Sequence, residues 1–148
     1  MKILLSKINQ GSVKVDSATV SSCNRGLVLF VGIEKGDNDL VAKEMANKVI
    51  NLRIFANDKA KMDYSLKDLN LELLCIPNFT LCARTSRGRR PSFDDTMAPI
   101  EASSLFDEFV QCLLNYGVVV KKGSFGKHMD IDLSLNGPVN IILDSKSR

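Results

Sequence analysis

The chain has 148 residues, 45% of them hydrophobic and 25% charged, and carries a formal net charge of +3. That length suits one domain, residues 1–148, with a single well-buried core, and the composition is that of a soluble globular protein. No apolar run approaches the ~20 residues needed to span a bilayer, so no membrane partner is expected; the mild net charge does not by itself mark a nucleic-acid binder.

Met1–Ser6 is too short in its apolar part for a signal peptide, which makes a cytoplasmic location the default expectation. The cysteines, at positions 23, 75, 82 and 112, form no Cys-x-x-Cys pair, and His128 is the only histidine. A zinc site is therefore not expected. Cys75 and Cys112 fall at apolar positions and read as small core residues.

Lys2 to Val15 reads as a strand in which Gly11 marks a bulge or bend. Asp16-Ser17 turns the chain, and Thr19 to Ser22 returns antiparallel. After a second turn at Asn24-Arg25-Gly26, the segment Gly26–Ile33 is nearly all apolar, as in a central strand buried on both faces. Lys35–Asn38 breaks the pattern and offers helix caps. Val41, Met45, Val49 and Leu52 recur at helical spacing opposite Lys43, Glu44, Asn47 and Lys48, so this helix is expected to cover one sheet face. Arg53–Phe55 reads as a short strand and Asn57–Ser65 as a polar loop.

Leu71 to Phe93 is the stretch around which the rest is organised. It begins as an apolar run of strand length, passes through Asn78-Phe79-Thr80, and ends in a loop carrying Arg84, Arg87, Arg89 and Arg90. Buried strand, polar junction and basic loop is the order expected where a scaffold delivers a site to an anion. No acid occurs between Glu72 and Asp94, whereas a merely solubilising loop mixes both signs; anion binding is the favoured reading. Lys121, Lys122 and Lys127 crowd a second loop.

Ala98-Pro99 opens a second helix, with Leu105, Phe106, Phe109, Cys112, Leu113 and Tyr116 as a wide apolar stripe and Gly117 as its stop. Val118–Val120 reads as a strand. Met129, Ile131, Leu133 and Leu135 alternate with Asp130, Asp132, Ser134 and Asn136, as in a half-buried strand. Asn136-Gly137-Pro138 is expected to turn it, Val139–Leu143 to form the last strand, and residues 145–148 to be a polar, frayed tail. These elements predict an α+β fold: a single-domain, barrel-like, largely antiparallel β-sheet with two main helices packed on it.

Few side chains suggest chemistry unaided. Thr80 reads either as a substrate-contacting or nucleophilic hydroxyl or as a β-branched strand residue, and nothing in the sequence brings His128 near it. Cys82 with His128 is a weaker thiol-hydrolase alternative. Asp130 and Asp132 share a strand face, where a solvated surface is the commoner role. Phe125 and Met129 suit either base stacking or core packing.

Several segments in order then resemble the D-aminoacyl-tRNA deacylase (D-tyrosyl-tRNA deacylase) family, from about Met1 to Ser145: Gly26–Gly36, Asn51–Phe55, Lys61-Met62, Phe79-Thr80-Leu81, Arg87–Phe93, Phe125-Gly126, Met129 and Asn136–Val139. The resemblance implies a homodimer that uses no metal and no organic cofactor. It would hydrolyse the ester of tRNA charged with a D-amino acid, and of glycyl-tRNA, as chirality proofreading. Pro77-Asn78-Phe79-Thr80-Leu81 stands for one site motif, with Asn78, Phe79 and Thr80 as catalytic residues and Pro77 beside the substrate. Gly137-Pro138 stands for the other, joined by a cis bond and reaching into the partner's site as a wall against L side chains. Phe125 and Met129 would lie near the terminal adenosine, and Arg87, Arg89 and Arg90 on acceptor-end phosphates. Backbone N–H groups would stabilise the oxyanion while the ribose hydroxyl helps orient water; whether Thr80 attacks or only positions stays open. The chain departs from the pattern at Pro77 and Asn78 (Ser and Gln in the family), Asn140 (Thr) and Lys7 (Arg). Those departures keep two alternatives: a relaxed-chirality deacylase acting on L-alanyl-tRNA, and a non-catalytic tRNA- or DNA-binding homologue.

Overall fold

The computed structural model describes residues 1–86 and 88–147. Strands β1 (Lys2–Val15), β2 (Ala18–Cys23) and β3 (Gly26–Gly32) precede helix α1 (Asp39–Asn51). A small hairpin follows, β4 (Phe55–Ala56) with β5 (Met62–Tyr64), then β6 (Glu72–Pro77) and a 3-10 helix over Phe79–Cys82. Helix α2 (Pro99–Leu114), β7 (Val120–Lys122) and β8 (Asp130–Asp144) complete the chain.

The main sheet runs β2-β1-β3-β6-β7, with β8 on the other edge of β1. β1 pairs antiparallel with β2, β3 and β8, while β3–β6 and β6–β7 are parallel. The result is a mixed, barrel-like sheet in which antiparallel pairs outnumber parallel ones. The parallel pairs follow from crossovers: α1 lies between β3 and β6, and α2 between β6 and β7.

Both helices start and stop where local chemistry dictates. Asn38 caps α1, its Oδ1 accepting from the Val41 N–H at 3.1 Å. Pro99 sits in the first turn of α2, where its missing N–H costs no helical bond, and Gly117 stands at φ +78° just past the end. The helices pack on one sheet face. Ile3, Leu5, Leu27 and Leu29 meet Met45 and Val49 of α1 and Phe106 and Phe109 of α2. Each such side chain contributes roughly 1.5–3 kcal/mol when fully buried. On the opposite face Ile8, Val13, Val28, Leu74 and Ile76 form a second cluster, closed over by Met129, Ile131 and Leu133.

Several expectations need correcting. Two short strands are displaced, Arg53–Phe55 giving way to Phe55–Ala56 and Val118–Val120 to Val120–Lys122, which puts Lys121 and Lys122 on a strand rather than in a loop. Residues 57–65 are not all loop, because Met62–Tyr64 pairs back on Phe55–Ala56. Asn136-Gly137-Pro138 does not reverse the chain. β8 runs through it, and between the pairs Ile8–Leu135 and Ser6–Asn140 residues 136–139 bulge out opposite Lys7 alone. The tail does not fray from 145 on: the Ser145 N–H donates to the Met1 carbonyl at 2.9 Å, and Lys146 Nζ lies 3.0 Å from the buried Glu34 carboxylate. Cys75 is fully buried as expected, but Cys112 is only half-buried, beside Glu108.

Candidate active site

β6 leads straight to the site. Its last residue, Pro77, leaves no N–H to pair, and the chain then anchors to the neighbouring strand as the Asn78 N–H donates to the Val31 carbonyl at 2.8 Å. Residues 79–82 tighten into the 3-10 helix, so Thr80 is not a strand residue. Gly32 allows this close approach. A Cβ there would lie 2.8 Å from Cys82 Sγ and 3.1 Å from the Asn78 carbonyl oxygen.

Asn78 organises the turn. Its Oδ1 accepts from the Thr80 N–H at 3.1 Å and from the Thr80 hydroxyl at 2.5 Å. Phe79, 56% exposed, projects outward with its ring against Phe93 in an edge-on arrangement, centroids 5.0 Å apart.

Two depressions flank Asn78–Phe79. The first, about 440 Å³, is lined by Val31, Pro77, Phe93, Met97, Pro99 and Phe125 and is largely apolar. The second, about 510 Å³, is lined by Phe30, Thr80, Lys127, His128, Met129 and Ile131. Pro77, Asn78, Phe79 and Gly126 border both. Phe125 packs on Phe106 at 6.3 Å from inside the first, whereas the Met129 sulfur in the second accepts from the Ser124 N–H at 3.4 Å. Folding thus assigns these two residues to adjacent hollows.

His128 is brought to the same hollow as Thr80, a juxtaposition that chain distance conceals. Its imidazole is almost fully exposed, 3.9 Å from Asp130. Phe93 and Met97 are further lining residues that sequence reasoning missed, with the run Arg-Arg-Pro-Ser-Phe93 as a hint to the first, and Lys127, singled out there for its charge alone, lines the second hollow. Cys82 does not share the hollow. It is the buried last residue of the 3-10 helix, and burial first, then the nearby Glu34 carboxylate, push its thiol up to about 11, which makes it a poor nucleophile near neutrality. The Cys82–His128 pairing is thereby ruled out.

Arg84 and Ser92 exchange backbone hydrogen bonds of 2.8 and 2.9 Å, which pinch the base of the basic loop. The Arg84 guanidinium is occupied by Asp95, with Nη2 2.6 Å from Oδ1. Arg89 and Arg90 lie exposed beyond the pinch, while Arg87 lies outside the described residues. Asp132 pairs with Lys14 at 3.2 Å on an exposed face, in keeping with a solvated role. No cluster of three or more histidine, cysteine or acidic side chains suited to a metal occurs among the described residues.

Gly137 and Pro138 are joined by a cis peptide bond and are exposed on the β8 bulge. They line neither depression. Beside them runs an apolar row set by strand register: Ile142 of β8 opposite Leu4 of β1, Leu4 opposite Phe30 of β3, and Phe30 opposite Ile76 of β6. Ile142 is 75% exposed, and Phe30 borders the hollow of Thr80.

This barrel-like α+β domain thus presents a capped polar turn between two hollows, one largely apolar and one lined in part by Lys127 and His128. The family model for D-Tyr-tRNA(Tyr) deacylase matches residues 4–144, and the chain belongs to that family. It is similar to the D-aminoacyl-tRNA deacylase of Clostridium perfringens, 45% identical over 99% of this chain and 98% of that protein. The enzymes of the same name from Thermosipho africanus and Aquifex aeolicus are 40% and 38% identical over 99% of this chain, with 98% and 99% of their own lengths covered. Among solved structures, the c-Myc DNA Unwinding Element Binding Protein superposes with a TM-score of 0.93 at 29% identity, covering 99% of this chain and 100% of its own. A probable eukaryotic D-amino acid tRNA deacylase, at 16% identity and a TM-score of 0.82 over 96% and 97% of the two chains, shares the fold. The chain is accordingly an enzyme of the D-aminoacyl-tRNA deacylase class, a hydrolase.

Proposed function

We propose that this hydrolase acts in the cytoplasm as a homodimeric chirality proofreader, cleaving D-aminoacyl-tRNA and glycyl-tRNA at the hollows around Phe79–Thr80. The observation that carries the reading is the separation of its two motifs. Asn78–Thr80 lines the hollows, yet the Gly137-Pro138 bulge lies outside them on the same protomer. A second copy laid over the row of exposed Ile142 and half-buried Leu4 and Phe30 would bring its own bulge to the site and shield that row from water. A main-chain wall beside the substrate Cα excludes an L side chain of any kind and leaves glycine admissible.

Pro77 and the Phe79 ring border the aminoacyl group, Phe125 and Met129 border the adenosine, and Arg87, Arg89 and Arg90 neutralise acceptor-end phosphates. The Phe79 main-chain N–H faces the ester carbonyl, and no protein base is required because the ester is already activated. Thr80 is a positioning residue rather than a nucleophile. Its proton is held by an amide oxygen, which is not a base capable of activating it.

The test is incubation of D-Tyr-tRNA, Gly-tRNA and L-Tyr-tRNA with purified protein. Loss of the first two esters and survival of the third is expected, and equal survival of the D-ester with and without protein would refute the assignment. The exposed arginine loop favours a second reading, a nucleic-acid-binding module. Tight, steeply salt-dependent tRNA binding with no cleavage would be its signature.

A further inference from the structure

We propose that Asn78 and Thr80 act as one unit in which Asn78 is a positioning residue and Thr80 Oγ1 is the acceptor for a hydrogen-bond donor of the aminoacyl-nucleoside. This rests on the reading of the hollows as the aminoacyl-end site. The donor is either the α-ammonium of the amino acid or the free ribose hydroxyl.

A threonine hydroxyl has one proton and two lone-pair positions, and unconstrained it rotates to donate or accept as a ligand demands. Here that freedom is removed. Thr80 Oγ1 donates to Asn78 Oδ1 at 2.5 Å, and the same oxygen takes the Thr80 N–H at 3.1 Å. With both Thr80 donors turned inward, the exposed hydroxyl oxygen offers only lone pairs to the hollow it lines with Lys127, His128 and Met129. A carbonyl or phosphate oxygen gains nothing from such a group; an ammonium or a hydroxyl does.

The side-chain length matters. Asn78 reaches Thr80 because its amide is one methylene from the backbone and the residues are two apart, the geometry of an Asx turn. Asn78 therefore needs no contact with the substrate to influence it. Removing its amide frees the Thr80 hydroxyl to rotate, so an oriented acceptor becomes a mobile group.

Binding of a non-cleavable analogue, D-tyrosine linked by an amide to 3′-amino-3′-deoxyadenosine, tests this without reliance on turnover. Thr80→Val keeps the branched shape and removes the oxygen, and is expected to weaken binding about tenfold or more. Thr80→Ser restores the oxygen and recovers most of the affinity. Asn78→Ala weakens binding by a similar factor, and the Asn78→Ala/Thr80→Val double variant is no worse than Thr80→Val alone. A des-amino analogue, which lacks the α-nitrogen, indifferent to Thr80→Val identifies the ammonium as donor; a 2′-deoxy analogue indifferent to it identifies the ribose hydroxyl. Wild-type affinity in Thr80→Val, losses that multiply in the double variant, or equal sensitivity of both analogues would each overturn the proposal. D-Tyr-tRNA turnover measured alongside reports on the deacylase reading separately: a wild-type protein that shows the coupled binding losses but cleaves nothing would retain the acceptor pair and refute the assigned reaction.

Discussion

Gly137 has φ +138°, a conformation that L side chains rarely adopt, and a Cβ built there would stand 2.4 Å from the Val139 nitrogen. Alanine must therefore shift the bulge, at about 1–3 kcal/mol of local strain. Residues 136–139 contribute no register pair with β1, so the ladder on either side survives. Gly137→Ala is expected to retain the fold, with a melting temperature lowered by about 3–10 °C, and to lose D-Tyr-tRNA hydrolysis by more than tenfold. Unchanged turnover in a folded dimer would remove Gly137-Pro138 from the site. At the same scale, Arg89 and Arg90 stand exposed beyond the Arg84–Ser92 pinch. Replacing either by alanine is expected to leave cleavage of a short aminoacyl-adenosine ester intact. The slope of log binding constant against log salt for tRNA should fall by about one. An unchanged slope would make them ordinary surface charges.

The junction of β3, β6 and the 3-10 helix decides where Phe79 and Thr80 stand. Gly32→Ala places a methyl 2.8 Å from Cys82 Sγ, 3.0 Å from Leu81 Cβ and 3.1 Å from the Asn78 carbonyl, and none of these is the far end of a flexible side chain. We expect about 1–3 kcal/mol of destabilisation in denaturant titrations. Turnover should fall further than stability, because the displaced element carries the proposed site residues; a stability loss with normal turnover would show that the turn accommodates the shift. Much of this architecture was legible beforehand. The alternation from Met129 to Leu135, the apolar run Gly26–Ile33 and the stripe of α2 each encode one face or two in their period. What was hidden has physical reasons. Asn-Gly-Pro chemistry is the same whether a chain reverses or bulges, and only the pairing of β8 with β1 on both sides distinguishes the two. The hairpin Phe55–Tyr64 is too short for a period to emerge. His128 reaches the hollow of Thr80 only because the chain returns beside β6 after α2 and β7, a relation that no local pattern records.

Across the whole molecule, two buried carboxylates tie both ends of the described chain to a wall of the candidate site: Asp37 Oδ1 accepts from the Met1 amino group at 2.5 Å, and Glu34 gathers lysines from both ends. Glu34, 3% exposed, lies within 4.0 Å of the Met1 amino group, 3.3 Å of Lys2 Nζ and 3.0 Å of Lys146 Nζ. Its backbone bridges to Thr96, and the Lys35 N–H donates to the Asp95 carbonyl at 2.8 Å, next to Met97 of the apolar hollow. Burial pushes the Glu34 carboxyl up, but the close ammonium groups of Lys146 and Lys2 more than reverse this, and it sits below its ordinary value. A carboxyl depressed in the folded state adds stability above its unfolded pKa, about 4.3 to 4.5, and loses it as pH falls through the lower folded value. Removing Lys146 withdraws the nearer of the two lysine charges and leaves burial in place. Lys146→Ala is therefore expected to begin acid unfolding at a higher pH than wild type, with a loss of about 1 kcal/mol or less near neutrality, since Lys146 is itself half exposed and Lys2 remains. Lys146→Arg should largely restore the wild-type midpoint. In a Glu34→Gln background, Lys146→Ala should no longer move the midpoint at all. Acid titrations followed by circular dichroism measure every one of these proteins; superimposed midpoints for wild type and Lys146→Ala would mean that the tail contributes nothing to holding this wall.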